Sequence, residues 1–161
     1  MKLHMATMEF LYKNLADFLK ELNLIDKISP REYLRFYCLG QCEKDKEKGK
    51  MNSYMIYVHS KMIIVDDEYI VFGSGNLNER SLAGDRDSEM NLAAYQNKST
   101  NSVKEFRKSL WKEHLGSDLN WEKPWSKETF DEVNKRVAVN TDNFNNEEIL
   151  TFGHLMQLKY R

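Results

Sequence analysis

The chain has 161 residues, and its 24 Lys and Arg against 25 Asp and Glu leave a net charge of -1. That length holds one ordinary domain and gives no room for two independent cores. The balanced charge lacks the basic surplus of a nucleic-acid-binding protein, while 41% hydrophobic and 12% aromatic residues exclude wholesale disorder. Cys38 and Cys42, in a C-x3-C spacing without histidine partners, match neither a zinc cluster nor a disulfide framework, so free thiols in a reducing compartment are expected. No stretch approaches the roughly 18 apolar residues that span a bilayer. The start of the chain carries no secretory signal pattern either. A soluble or at most peripheral protein is expected.

In chain order, Met8, Leu11, Leu15, Phe18, Leu19 and Leu22 recur at spacings of three and four, which predicts an amphipathic helix from Leu3 to Leu24. Pro30 ends it, because the residue before a proline is pushed out of the helical region. Tyr33 to Leu39 is rich in strand-forming aromatics, and the mixed charges of Glu43 to Lys50 predict a solvated loop. Three apolar segments follow, Tyr54 to Val58, Met62 to Val65 and Tyr69 to Phe72, the first two readable as one long strand. Asp66-Asp67-Glu68 supplies a turn. Apolar residues on both faces of these strands predict a sheet covered on both sides, with Met90 to Tyr95 as a further strand. Ser102 to His114 and Ser126 to Val137 read as helices, and the Asn- and Asp-rich stretch Val139 to Glu148 as a loop. The whole predicts a single α/β unit over residues 1–161, with the chemistry in 54–96 and a helical region in 97–161.

The informative stretch is His59-Ser60-Lys61, then Asp66, then Gly73-Ser74-Gly75-Asn76, or H-x-K-x4-D-x6-G-S-x-N. A chance match to its six fixed positions has odds of roughly one in a million. Residues i and i+2 of a strand share a face, so His59 and Lys61 can address one site, joined by Ser74 and Asn76 if the chain stays extended. An imidazole, an ammonium and an amide around one point suit a phosphodiester. The imidazole can attack phosphorus or move a proton near neutral pH. Lys61 and Asn76 can stabilise charge on the non-bridging oxygens. Neither task needs a metal.

This pattern resembles the signature of the phospholipase D superfamily. The surrounding Tyr33 to Gly40, Met55 to His59, Asn76 to Ser81 and Asp87-Ser88-Glu89 are similar to the second motif region of the plant-type enzymes. Ser109 to Gly116 and Gly153-His154-Leu155 resemble their C-terminal end. Gly75 and Glu79 depart from the usual Ala and Gln, neither of which performs the chemistry.

The resemblance implies an α/β fold, a sheet flanked by helices, forming an incomplete half of a two-lobed catalytic domain. It implies that two facing motifs hydrolyse a phosphatidylcholine-like lipid to phosphatidate and free head group, through a phosphohistidine on one histidine. The second motif's histidine, here His59, acts as acid and base. Glu89 is expected to hold the other ring nitrogen of His59, and Asp66 to be structural, at the strand end. Lys61, Ser74 and Asn76 bind the phosphate. Only one motif is present, so a second half-site is expected from a homodimer or from a missing N-terminal portion. Calcium is a property of the family with no site identifiable in this chain, and no cofactor is expected at the motif. Cytoplasmic location with peripheral membrane association follows from the same resemblance. The competing readings are a silent truncated remnant or interaction module and, against the balanced charge, a nuclease of the superfamily.

Overall fold

The three-and-four spacing of the first apolar residues becomes helix α1, Lys2–Glu21, which buries Met8 and Leu19 and leaves Phe10 and Phe18 outward; it ends before Leu22, earlier than the apolar spacing predicts. The computed structural model describes residues 2–97, 99–118 and 121–158, with the backbone alone for residues 2–4. A 3-10 turn, Pro30–Glu32, follows α1; the Ser29 hydroxyl accepts from the Arg31 N–H and the Glu32 carboxylate from the Ser29 N–H. Tyr12 fastens α1 to what comes next, donating its hydroxyl to the Leu34 carbonyl at 3.1 Å and meeting the Phe36 ring edge-on.

The described residues form six strands in two three-stranded antiparallel sheets. The first, in the order β2–β1–β6, uses β1 (Tyr37–Lys44), β2 (Met51–Ile56) and β6 (Leu155–Gln157). The second, in the order β3–β4–β5, uses β3 (Lys61–Val65), β4 (Tyr69–Gly73) and β5 (Asn91–Tyr95). Tyr54 to Val58 and Met62 to Val65 are therefore not one strand. The polar pair His59-Ser60 interrupts the apolar run, and residues 57–60 carry the chain from one sheet to the other. β1 also starts later than its aromatics suggest and runs into the charged stretch, because pairing of Glu43 with Asn52 and of Lys44 with Met51 draws both residues into the ladder. Only the tip remains a turn, where the Asp45 carboxylate accepts from the Glu47 and Lys48 N–H groups.

A short helix α2, Glu79–Leu82, lies between β4 and β5. Helices α3 (Ser102–Leu115) and α4 (Lys127–Asn145) follow. α4 opens on Ser126, whose hydroxyl accepts from the Thr129 N–H, as a capping serine does. It continues through the stretch expected to be a loop. Asn140, fully buried, donates to the Phe152 and Leu155 carbonyls and accepts from the Phe152 N–H, while Thr141 accepts from the Gln157 N–H. These polar residues hold the C-terminal strand instead of breaking the helix.

The core lies where α3 and α4 meet the first sheet. Leu115, Trp121, Val133 and Val137 are buried together, with Tyr37, Trp111 and Leu155 against them. Trp111 and Trp121 meet edge-to-face at 5.4 Å, whereas Trp125 is exposed. At the corner of the core, Gly153 adopts a φ of +60° with its backbone against Glu113 and His114, a place that a side chain would obstruct. Arg136, almost wholly buried, clasps the Asp118 carboxylate with two nitrogens and reaches the Leu115 carbonyl at 2.7 Å.

Two carboxylates tie this region to pH. The Arg136 guanidinium holds Asp118 down to about 2, and Lys104 with Lys108 holds Glu122 down to about 2. Because both folded values lie below the unfolded ones, their stabilisation is complete above about pH 4.5 and is lost as the pH falls toward 2. Urea midpoints measured from pH 6 to pH 2 are expected to drop in that window and less so in the Asp118→Asn, Glu122→Gln double variant.

Candidate active site

The site grows from the hairpin β3–β4. Asp66 and Asp67 both carry positive φ, 54° and 59°, and the Glu68 N–H closes the turn on the Val65 carbonyl at 3.0 Å. Two left-handed central residues form the primed turn that matches strand twist, and Asp tolerates that conformation better than most residues. Pairing from this turn sets Lys61 opposite Gly73, and Gly73 opposite Asn91. Those three lie in one row at the end of the sheet. β5 passes so close there that a side chain at Gly73 would strike the Met90 carbonyl and Asn91, which accounts for the glycine of the G-S-x-N segment. At the other end of the hairpin, Asp67 accepts from Arg107 Nε at 2.6 Å and Nη2 at 2.8 Å, fixing the sheet to α3.

His59 lies just ahead of β3 and is exposed, its ring 6.0 Å from that of Tyr57. Lys61, the first residue of β3, donates from Nζ to the His59 carbonyl at 2.6 Å. Past the end of β4, the Ser74 hydroxyl donates to Glu89 Oε2 and accepts from the Met90 N–H at 2.9 Å. The Gly75 N–H is held by Asn91 Oδ1 at 3.1 Å, and the Asn76 N–H by the Ser81 hydroxyl at 3.0 Å. The pKa of Glu89 is lowered from the usual carboxylate value, first by the Ser74 and Ser81 hydroxyls, then by the charges of Lys61 and Arg80. It is an anion whose two oxygens each receive a hydroxyl proton.

Lys61, Ser74 and Glu89 are thus brought together at one end of the second sheet, with Asn76 on the adjoining loop and His59 at the entry to β3. Among the described residues the His59 ring makes no side-chain hydrogen bond, and Glu89's hydrogen bonds are to Ser74 and Ser81. Asp66 sits at the opposite end of β3, ~17 Å along the strand from Lys61, as a turn residue. Ser81, Asn91, Asp67 and Arg107 were not singled out by the motif; a partner 40 residues away, as Arg107 is from Asp67, leaves no periodic trace in sequence. Among the described residues, no three His, Cys, Asp or Glu side chains gather as metal ligands.

An open cleft of about 2180 Å3 extends from His59 and Lys61 past Phe72 and Phe106 to Trp111 and Trp125. The second sheet was expected to be covered on both faces, and it is open on both. Ile63 on one face is 58% exposed and Leu92 on the other 60%. The apolar strand residues are as predicted, but among the described residues nothing packs over them closely enough to bury them.

The hairpin thus carries the H-x-K group on the entry to one arm and the G-S-x-N group on the exit from the other. A family profile described as Phospholipase D matches residues 1–161, and the chain belongs to that family. Among relatives, it is 39% identical to phospholipase D alpha 1 of Cynara cardunculus, over 94% of this chain and 22% of that protein. It is 38% identical to phospholipase D alpha 2 of Arabidopsis thaliana over the same shares, and 43% identical to phospholipase D alpha 3 of that plant over 80% of this chain and 19% of the relative. The chain thus spans about a fifth of the length of the curated relatives it matches. Among the described residues, no helix is long and apolar enough to cross a membrane.

Proposed function

We propose that the chain supplies one half of the active site of a phospholipase D-type phosphodiesterase. The enzyme hydrolyses phosphatidylcholine-like glycerophospholipids to phosphatidate and free head group at a membrane surface on the cytoplasmic side. The observation that carries this reading is the meeting of Lys61, Ser74 and Glu89 at one sheet end beside His59, in a chain with a single such motif. In the first step a histidine of the second half-site attacks phosphorus, and the phosphorus–oxygen bond to the head group breaks. His59 gives its proton to the departing alkoxide. In the second step His59 takes a proton from water, the water oxygen bonds to phosphorus, and the phosphohistidine bond breaks to release phosphatidate. Lys61 and Asn76 face the charge that develops on the non-bridging oxygens. Glu89, whose oxygens take the Ser74 and Ser81 hydroxyl protons and make no bond to His59 among the described residues, is assigned to orient the imidazole and stabilise its protonated form only once the full site is assembled, as a carboxylate does behind a working histidine. The imidazole chemistry itself uses no metal.

The second half-site comes from another copy of the chain or from a separate N-terminal portion. Light scattering combined with choline release from phosphatidylcholine vesicles tests this, for the chain alone and mixed with a separately produced portion carrying the first motif. Activity in the dimer or in the mixture is expected. A monomer that releases no choline in either condition sinks the half-site reading. It would favour the silent remnant, a reading supported by the open sheet and by a His59 ring without a hydrogen bond among the described residues. Cleavage of single-stranded DNA at low salt without choline release would move the assignment to a nuclease.

A further inference from the structure

We infer that Ser81, outside the H-x-K-x4-D-x6-G-S-x-N pattern, is a positioning residue that joins the backbone of Asn76 to the carboxylate of Glu89, so that amide and anion are held as one unit. The catalytic part of this inference rests on the phosphodiesterase reading; the structural part does not.

A serine hydroxyl has one proton to give and lone pairs to receive with. The Asn76 N–H donates to Ser81 Oγ at 3.0 Å, and the hydroxyl proton goes to Glu89 Oε1 at 2.5 Å. On the other carboxylate oxygen the same pattern recurs: the Met90 N–H donates to Ser74, and Ser74 donates to Glu89. Two parallel relays, each running from backbone N–H through hydroxyl to carboxylate, converge on one anion from both sides of the loop. Ser74 is part of the motif. Ser81 is its counterpart on α2, and the local structure is built to place it. The Ser81 N–H is capped by Asn78 Oδ1 at 3.0 Å. Behind it, the Asp87 N–H bonds the Arg80 carbonyl at 3.0 Å and the Asp87 carboxylate pairs with the Arg80 guanidinium at 3.0 Å. The α2 turn thus has a use despite its single turn of length.

The charged groups facing Glu89 are Lys61 from β3 and Arg80 from α2. Both favour the anion, and Asp87 offsets part of Arg80. Against that background, loss of the Ser81 hydroxyl removes one of the two donors and also frees the Asn76 N–H. A charge-assisted hydrogen bond of this kind is worth about a tenfold to hundredfold change in an equilibrium.

The test begins with the full 161-residue chain and the carbon-13 resonance of the Glu89 carboxyl, followed through acid titration. Ser81→Ala is expected to raise the Glu89 midpoint by about one pH unit, and Ser81→Thr, which restores a hydroxyl, to return it to the wild-type value. Asp87→Asn, which loosens the loop without touching the relay, serves as the comparison for a purely structural role. If Ser81→Ala unfolds the chain, Ser81→Cys carries the same test with a weaker donor and an intermediate midpoint. An unchanged midpoint in Ser81→Ala or Ser81→Cys, or a threonine variant that fails to restore it, overturns the inference. In the assembled enzyme, Ser81→Ala is expected to lower kcat at least about tenfold with little change in KM, and to move the acid limb of the kcat profile upward, with recovery in Ser81→Thr. An assembled enzyme that cleaves no phosphodiester refutes the functional reading, and the carboxyl titration then decides the role of Ser81 by itself.

Discussion

His59→Ala is expected to reduce choline release by the assembled enzyme roughly a thousandfold or more, the scale on which removal of a general acid–base is felt. The imidazole is exposed and makes no hydrogen bond among the described residues, so its loss leaves packing intact. Stability and oligomeric state should stay as in the wild type while turnover falls. Lys61→Met acts at a neighbouring point, because its ammonium lies at the start of β3 and donates to the His59 carbonyl. Normal turnover in His59→Ala would remove the acid–base assignment and, with it, the claim that this motif is the working half of a site.

The second large effect concerns stability. Arg107 is 6% exposed, grips Asp67 with two nitrogens, donates to the Trp121 carbonyl at 3.0 Å and lies over the Trp111 ring. Arg107→Met keeps much of the apolar stem but strands a carboxylate whose side chain is only 15% exposed. Removing one member of a buried pair costs about 3–5 kcal/mol. Urea unfolding is expected to register at least about 3 kcal/mol of that loss. The double variant Arg107→Met, Asp67→Asn is expected to recover part of it, since the unpaired charge is then gone. A loss below about 1 kcal/mol, the scale of an exposed ion pair, would show that the link between the hairpin and α3 carries little. The consequence reaches the site, because the Asp67 end and the Lys61 end belong to the same five-residue strand pair.

Much of this was readable beforehand, for reasons that differ from element to element. Helix α1 announces itself through apolar spacing, α3 and α4 read as helical segments opening at Ser102 and Ser126, and the hairpin turn shows in Asp66-Asp67-Glu68. The H-x-K and G-S-x-N groups mark the sheet end because chemistry restricts which residue types serve there. What escaped the sequence is what depends on distant partners. Nothing local tells Tyr54 to Ile56 that it pairs with β1 while Met62 to Val65 pairs with β4. Asn140 and Thr141 resemble loop formers until the C-terminal segment arrives to use their hydrogen bonds. Exposure failed in the same way: apolar residues on both faces describe what a strand is suited to meet, and the meeting itself depends on polypeptide beyond the strand.

The intervals x4 and x6 in the motif acquire a geometric meaning from the pairing of Lys61 with Gly73. They count rungs: up one strand, around the Asp66-Asp67 corner and back down the other. A single inserted residue on either arm would shift the parity, because neighbouring side chains of a strand project to opposite sides. The ammonium would then point away from the serine and the carboxylate although every letter of the motif survived. Spacing in this segment is therefore as much a part of the chemistry as the identity of its members.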